Sequence, residues 1–461
     1  MRQKLIHFHL ILIGLIAGVL AGVAASAIAS KEESESLPLA ELKRFTEVYS
    51  AIKSYYVEPV EDMKLFKGAI SGMVSDLDPH SSYLDQEAFN ELRVGTQGKF
   101  GGLGIEVGME DGFVKVIAPI EDTPAQRAGV LAGDLIMRID EKATKGLSLS
   151  EAVTLMRGEP KTPIRLTILR KGSDKPIEIE IIRDVIQVQS VKSKMLEGGY
   201  GYIRITQFQE RTGENLVKAF NELANQQRLN GLVLDLRNDP GGLLNAAIGV
   251  SAAFLPKNAV VVTTDGRTSD SKRELVARSE DYLLSRESDY LRELSELAKS
   301  VPMVVLVNAG SASASEIVAG ALQDHQRAVV MGTQTFGKGS VQTILPLKNN
   351  TAIKLTTARY YTPKGRSIQA KGIEPDFLVT DTPGGDLVAR IREVDLTQHL
   401  SNDRESEFKA KEGETLAPEQ ESIKPIVFGA EDDHQLNQAL NHLKGKPVQV
   451  SKPQETAFSG K

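Results

Sequence analysis

The stretch Met303-Val304-Val305-Leu306-Val307-Asn308-Ala309-Gly310-Ser311-Ala312-Ser313-Ala314-Ser315-Glu316 decides the fold. Five consecutive apolar residues read as a buried strand, and the small polar run after them opens a helix over Ala314 to Leu322. A strand apolar on both faces belongs in a parallel sheet covered by helices. The same alternation extends on either side. Tyr202 to Ile205 reads as a strand. A helix then opens at Thr212, with Leu216, Val217, Phe220, Leu223 and Ala224 as its apolar positions. Leu232 to Leu236 is a strand, Leu243 to Leu255 a helix, and Val329 to Met331 a further strand. Residues 185–380 therefore read as an α/β layered domain with its sites at strand ends. The charged stretch 265–300 interrupts this order and reads as a surface insertion.

Outside that domain the periodicity changes. Residues 96–184 alternate apolar and polar side chains in short runs, as in Ile105-Glu106-Val107, Val114-Lys115-Val116 and Ile164 to Ile168. Such runs are strands. Ser148 with Glu151 three residues on is a capping box for a helix reaching Met156. Residues 38–95 carry Leu42, Phe45, Val48, Tyr49 and Ile52 at helical spacing, and Pro59 separates a second helix from Asp62 to Ser75. The chain turns polar over 381–461, which reads as a solvated tail. Within that tail, Asp432 to Lys444 keeps Leu436, Ala439, Leu440 and Leu443 on one helical face, as a docking helix would.

At the N-terminus, Arg2 and Lys4 precede an uncharged run from Leu10 to Ala29. A basic start, an apolar stretch and Ala27-Ile28-Ala29 read as a signal peptide over 1–29, with an uncleaved membrane anchor as the alternative. Both readings export the rest of the chain. The 461 residues suggest about three domains. A formal net charge of -6 provides no field for nucleic acid, and the absence of cysteine removes thiol nucleophiles, thiolate metal sites and disulfides.

Three stretches could carry chemistry. Ser residues at the Asn308–Glu316 junction sit at a helix N-terminus, where free N–H groups favour developing negative charge; a nucleophile and a plain helix cap both fit. Gly332-Thr333-Gln334-Thr335-Phe336-Gly337-Lys338-Gly339-Ser340 has the outline of a phosphate loop. However, Gly339 replaces the Ser or Thr that would hold magnesium, and a strand-like run follows where a helix is needed. The alternative is a desolvated lysine acting as a base. Asp235-Leu236-Arg237-Asn238-Asp239-Pro240-Gly241-Gly242 is a strand end and glycine turn that could supply oxyanion donors. His80 reads as a turn residue and His325 as a helix C-terminal cation.

Together with Leu77-Asp78-Pro79-His80-Ser81-Ser82-Tyr83-Leu84, Tyr360-Tyr361-Thr362-Pro363 and Gly372 to Asp376, these motifs resemble the carboxy-terminal processing peptidases, the tail-specific serine proteases. The resemblance covers about residues 40 to 380 and part of the tail. It implies an α/β peptidase core of the ClpP/crotonase-like layered fold, with an inserted β-rich PDZ domain and N-terminal helices. It implies Ser313 as nucleophile, Lys338 as base and Gln342 as the residue orienting it, with the N–H groups of Gly241 and Ala314 as oxyanion donors. Gly102-Leu103-Gly104-Ile105 becomes the PDZ loop that grips a substrate's terminal carboxylate. The activity implied is a serine endopeptidase without metal or cofactor, periplasmic or held at the inner membrane, acting on proteins through their C-termini. An adaptor protein is a further candidate partner. The apolar stripes on the N-terminal helices and on Asp432 to Lys444 suggest a homo-oligomer. A non-catalytic PDZ adaptor is the competing class.

Overall fold

The computed structural model describes residues 37–120, 122–173, 175–284, 288–387, 391–404 and 427–451. The expected export segment lies outside them, as do 405–426 and 452–461 of the tail. No helix among the described residues is long and apolar enough to cross a membrane.

The chain forms two units divided after Ile70. The first contains α1 (Leu39–Tyr55) and the start of α2 (Asp62–Ser75). Tyr49 and Phe66 meet with ring centroids 5.4 Å apart, and Lys53 pairs with Asp62 at 2.8 Å. Leu39, Leu42, Phe45 and Val48 stay exposed along α1.

In the second unit, β1 (Ser82–Leu84) leads to α3 (Gln86–Gln97). Asp85 caps α3 by accepting from Ala88 N at 2.9 Å. Strands β2 (Lys99–Gly102) and β9 (Asp184–Gln187) then pair antiparallel, so the chain enters and leaves the inserted domain at one place. Between them lie β3 (Ile105–Glu110), β4 (Phe113–Pro119), α4 (Pro124–Arg127), β5 (Leu135–Ile139), β6 (Lys142–Ala143), α5 (Leu149–Met156), β7 (Pro163–Leu169) and β8 (Ile177–Ile182). The capping box forms, with Ser148 N donating to Glu151 Oε2 at 2.8 Å. Val114, Val116, Ile136, Leu166 and Ile168 alternate inward and make this domain's own core.

The larger core is built on a six-stranded sheet in the order β10 (Val191–Leu196), β11 (Tyr200–Ile205), β12 (Gly231–Asp235), β15 (Met303–Val307), β16 (Val329–Gly332), β19 (Phe377–Leu378), parallel except for β10. Helices α6 (Thr212–Gln226), α7 (Leu244–Phe254) and α9 (Ala314–Asp324) contribute to the main apolar cluster on one face. The C-terminal helix α10 (His434–Leu443) packs Leu436 and Ala439 against Val233, Val304 and Leu306 on the other. A parallel sheet needs both faces covered, which gives the docking helix an intramolecular task. A second, antiparallel sheet has the order β1, β18 (Ala352–Tyr361), β13 (Val260–Gly266), β14 (Arg273–Val276), with β17 (Ser340–Pro346) also on β18.

Two segments differ from the expectation. The 265–300 insertion supplies β14 and α8 (Ser279–Tyr282), and it buries Tyr282 and Ala298 in the main core. The polar stretch after 380 is partly internal. Glu393 is fully buried, and Asp433 and Gln435 both accept from the buried Arg237 guanidinium at 2.9 Å. Polar composition conceals such partners, because pairing removes the cost of burying them.

Candidate active site

Strands β12 and β15 end side by side, and their C-terminal turns are cross-braced. Asn308 Oδ1 accepts Asn238 N at 2.9 Å, Asn308 Nδ2 donates to Asn238 Oδ1 at 3.0 Å, and Ser311 Oγ donates to the Leu236 carbonyl at 2.8 Å. This frame presents Ser313 at the N-cap of α9. Ser313 has φ 53 and ψ -109, outside the regions a serine normally occupies, and is 7% exposed. Such strain costs about 1–3 kcal/mol and persists only where the surroundings over-determine it.

Glu316 is a large part of those surroundings. Its Oε2 accepts the Ser313 N–H at 2.8 Å and the Lys338 N–H at 2.9 Å. Its Oε1 accepts the Gly337 N–H at 2.7 Å and the Thr335 hydroxyl at 2.5 Å. One carboxylate oxygen thus holds the main chains of both candidate catalytic residues. Burial pushes the Glu316 carboxyl up to about 7, with the four donors pulling the other way. Sequence reading missed this residue, although the Ser-x-x-Glu spacing from Ser313 was a visible signal.

The same bonds dispose of the phosphate-loop reading. The Gly337 and Lys338 N–H groups go to Glu316, and the Gly339 N–H goes to Gln369 Oε1 at 3.0 Å. A buried carboxylate stands where a phosphate would need those donors, and the loop continues into β17, a strand.

Lys338 is half-buried, and its ammonium is pushed down to about 8, first by loss of solvation and then by the neighbouring Lys354 cation. Glu393, Glu316 and Asp78 act in the opposite sense. A lysine so placed reaches its neutral form at much lower pH than an ordinary one and can then take a proton. Gln342 Nε2 donates to Ser340 Oγ at 3.0 Å and to Thr356 Oγ1 at 3.2 Å. The Ser313 hydroxyl lies near the buried phenol of Tyr360 and counters the rise that burial imposes on it; Tyr360 is a residue of β18 whose N–H donates to the Gly339 carbonyl at 2.7 Å. Among the described residues, no hydrogen bond joins Ser313 Oγ to Lys338 Nζ. Glu316 brings the serine and lysine segments together, while the hydroxyl and the amine are not yet engaged.

The glycine turn lies against Ser313. A Cβ at Gly241 would fall 2.9 Å from Ala314 N and 3.0 Å from Ser313 Cβ, and Gly241 has φ 94, so only glycine fits there. The Gly241 N–H donates to Asp239 Oδ1 at 2.9 Å, so it is not free in this structure. His80 and His325 are engaged elsewhere, with Glu393 Oε2 at 2.7 Å and with the Val260 carbonyl at 2.7 Å. In the inserted domain, Leu103 and Gly104 turn their carbonyls inward, to Ala125 N and to Ile120 N, both at 2.9 Å.

A serine at a strand–helix junction, a desolvated lysine and an adjoining glycine turn define a serine hydrolase site on an α/β scaffold. The family model for peptidase family S41 matches residues 199–379, that for the N-terminal domain of the activating protease CtpB residues 20–88, and that for the PDZ domain residues 101–181. The chain is 45% identical over 421 residues to a carboxy-terminal-processing protease of Bartonella bacilliformis, covering 90% of each. It is 34% identical over 378 residues to the carboxy-terminal processing protease CtpA of Bacillus subtilis, covering 81% of this chain and 77% of that one. Among solved structures it is similar to a photosystem II D1 C-terminal processing protease, at 30% identity over 73% of this chain and 86% of the other, with a TM-score of 0.41. The chain belongs to peptidase family S41, as a carboxy-terminal processing serine protease with a PDZ domain.

Proposed function

We propose that the chain is an exported endopeptidase with a Ser313–Lys338 dyad, acting on proteins whose C-termini its PDZ domain captures. The observation that carries this is the single Glu316 oxygen accepting both the Ser313 and the Lys338 N–H, which sets a desolvated lysine beside a strained serine. Ser313 Oγ attacks the scissile carbonyl carbon while neutral Lys338 takes the hydroxyl proton. The carbonyl electron pair moves to oxygen and is met by the N–H groups of Ala314 and Gly241. Collapse breaks the C–N bond, and the ammonium of Lys338 returns its proton to the leaving amine. Water then adds to the acyl-enzyme ester, again losing its proton to Lys338. Gln342 steers the lysine in this reading.

A serine-reactive phosphonate probe tests the assignment directly. It is expected to label the wild type once per chain and to leave Ser313→Ala unlabelled. Equal labelling of the variant overturns it.

The Tyr360 phenol near Ser313 suits a resting state that a bound tail releases, with the PDZ loop Gly102 to Ile105 holding the terminal carboxylate. The Val188 N–H donates to the Gly98 carbonyl at 2.9 Å, so a short flexible linker can replace Gly98 to Arg183. Gating predicts that this deletion speeds cleavage of an unstructured protein or removes its dependence on a free C-terminal carboxylate. Slower cleavage through a raised KM makes the domain a tether instead, and unchanged kinetics give it neither role.

A further inference from the structure

The oxyanion turn of this chain contains an ionisable group that the dyad chemistry does not use. Asp239 is fully buried. Its Oδ1 accepts the Gly241 N–H at 2.9 Å, and its Oδ2 is buried with no hydrogen-bond partner among the described residues. Its main chain is fixed to both flanks of the nucleophile. The Asp239 carbonyl accepts Ala312 N at 3.0 Å and Ser315 Oγ at 3.0 Å. The carboxyl therefore cannot move away without disturbing Ser313.

We propose that Asp239 is a positioning residue whose proton keeps the oxyanion turn competent, so that its ionisation silences the protease on the alkaline side. The proposal rests on Ser313 and Lys338 being the reacting pair. A neutral carboxyl accepts weakly from Gly241, and the N–H can turn to the oxygen of the tetrahedral intermediate. An ionised carboxylate grips the same N–H with a charge-assisted bond and sets a negative charge beside the oxyanion it should stabilise.

The surroundings favour the neutral form. Burial pushes the carboxyl up to about 8. From β11, Arg204 favours the anion, but its guanidinium is already paired with Asp235 at 3.2 Å and with the Arg237 carbonyl at 2.9 Å. From β12, Asp235 opposes a second negative charge. From helix α9 the Ser315 hydroxyl donates to the Asp239 carbonyl at 3.0 Å and, with the Gly241 N–H, pulls the carboxyl back towards its ordinary value without offsetting burial, while the Ala312 N–H of the 308–312 segment goes to the carbonyl alone.

Two protons then control the rate. Lys338 must lose one, which makes activity rise with pH through about 8. Asp239 must keep one, which makes activity fall with pH through about 8. The wild type should show a bell-shaped profile of kcat/KM. Asp239→Asn keeps the shape of the side chain and an oxygen for Gly241 but cannot ionise. In that variant the ascending limb should persist and the descending limb vanish, making it roughly tenfold faster than the wild type at pH 9. The variant should also gain thermal stability relative to wild type as pH rises from 4 to 8. Glu316, also pushed up by burial, costs both proteins stability as pH rises, but the wild type retains a second proton on Asp239 on folding and so loses stability more steeply.

A descending limb retained in Asp239→Asn overturns the proposal, and so does a wild-type rate that stays high above pH 9. The second result needs no variant and stands even if the substitution prevents folding. Failure of the dyad reading is separate, since it appears as phosphonate labelling that survives Ser313→Ala.

Discussion

Lys338→Arg is expected to leave a folded protein that hydrolyses an unstructured substrate at least about a thousandfold more slowly than wild type. The substitution keeps a cation and a long side chain, and the main-chain bond from Lys338 N to Glu316 does not depend on the side chain. What it removes is the ability to become neutral, because a guanidinium does not deprotonate in a protein. Desolvation and Lys354 destabilise positive charge at this position, which is useful for a lysine that can release a proton and merely costly for an arginine that cannot. Lys338→Met separates the two consequences. It removes both the base and the partly desolvated charge, so it should be equally inactive yet melt no lower than wild type. Steady-state hydrolysis and thermal unfolding of the two variants provide the check. Hydrolysis by the arginine variant at near wild-type rate would remove Lys338 as the base.

The parts of this molecule that sequence revealed are those whose signal is local. The apolar run of β15 followed by Gly310 to Glu316 announces a strand, a turn and a helix N-terminus within 14 residues, and the neighbouring strand–helix units repeat the pattern. The serine and lysine needed the resemblance, since a helix-capping serine and a catalytic one look alike in isolation. What stayed hidden depends on partners distant in sequence. Glu316 reads as an ordinary capping acid until the 335–338 segment folds over it. Tyr360 is only part of the Tyr360-Tyr361-Thr362-Pro363 motif until β18 carries it near Ser313. Glu393 reads as tail, yet its Oε1 accepts Gln369 Nε2 at 2.9 Å, and Gln369 in turn accepts the Gly339 N–H beside the lysine. Charged composition at 391–404 says nothing about which main-chain groups those side chains will satisfy.

Glu316→Gln is expected to lower both activity and stability, and to move the pH profile in a direction that simple loosening would not. The carboxylate accepts four hydrogen bonds, two on each oxygen. An amide presents one oxygen and one NH2 group, so at least two of the donors lose an acceptor and face another donor in a buried place. Each such loss costs about 1–3 kcal/mol. Whichever way the amide turns, the damage falls on a segment of the proposed dyad. It releases either the Ser313 and Lys338 N–H groups, or the Thr335 hydroxyl and Gly337 N–H that hold the lysine turn. A shift of even about 1 Å between nucleophile and base can cost about a hundredfold in kcat. The third effect is electrostatic. The Glu316 charge favours the protonated ammonium of Lys338, so its removal should push the lysine further below its ordinary value. The ascending limb of the residual activity should then begin at lower pH than in wild type, even as the maximum falls. A purely structural role predicts a lower melting temperature and a smaller rate with the limb unmoved. A variant with unaltered kcat would mean that the shared carboxylate does not set the distance between Ser313 and Lys338.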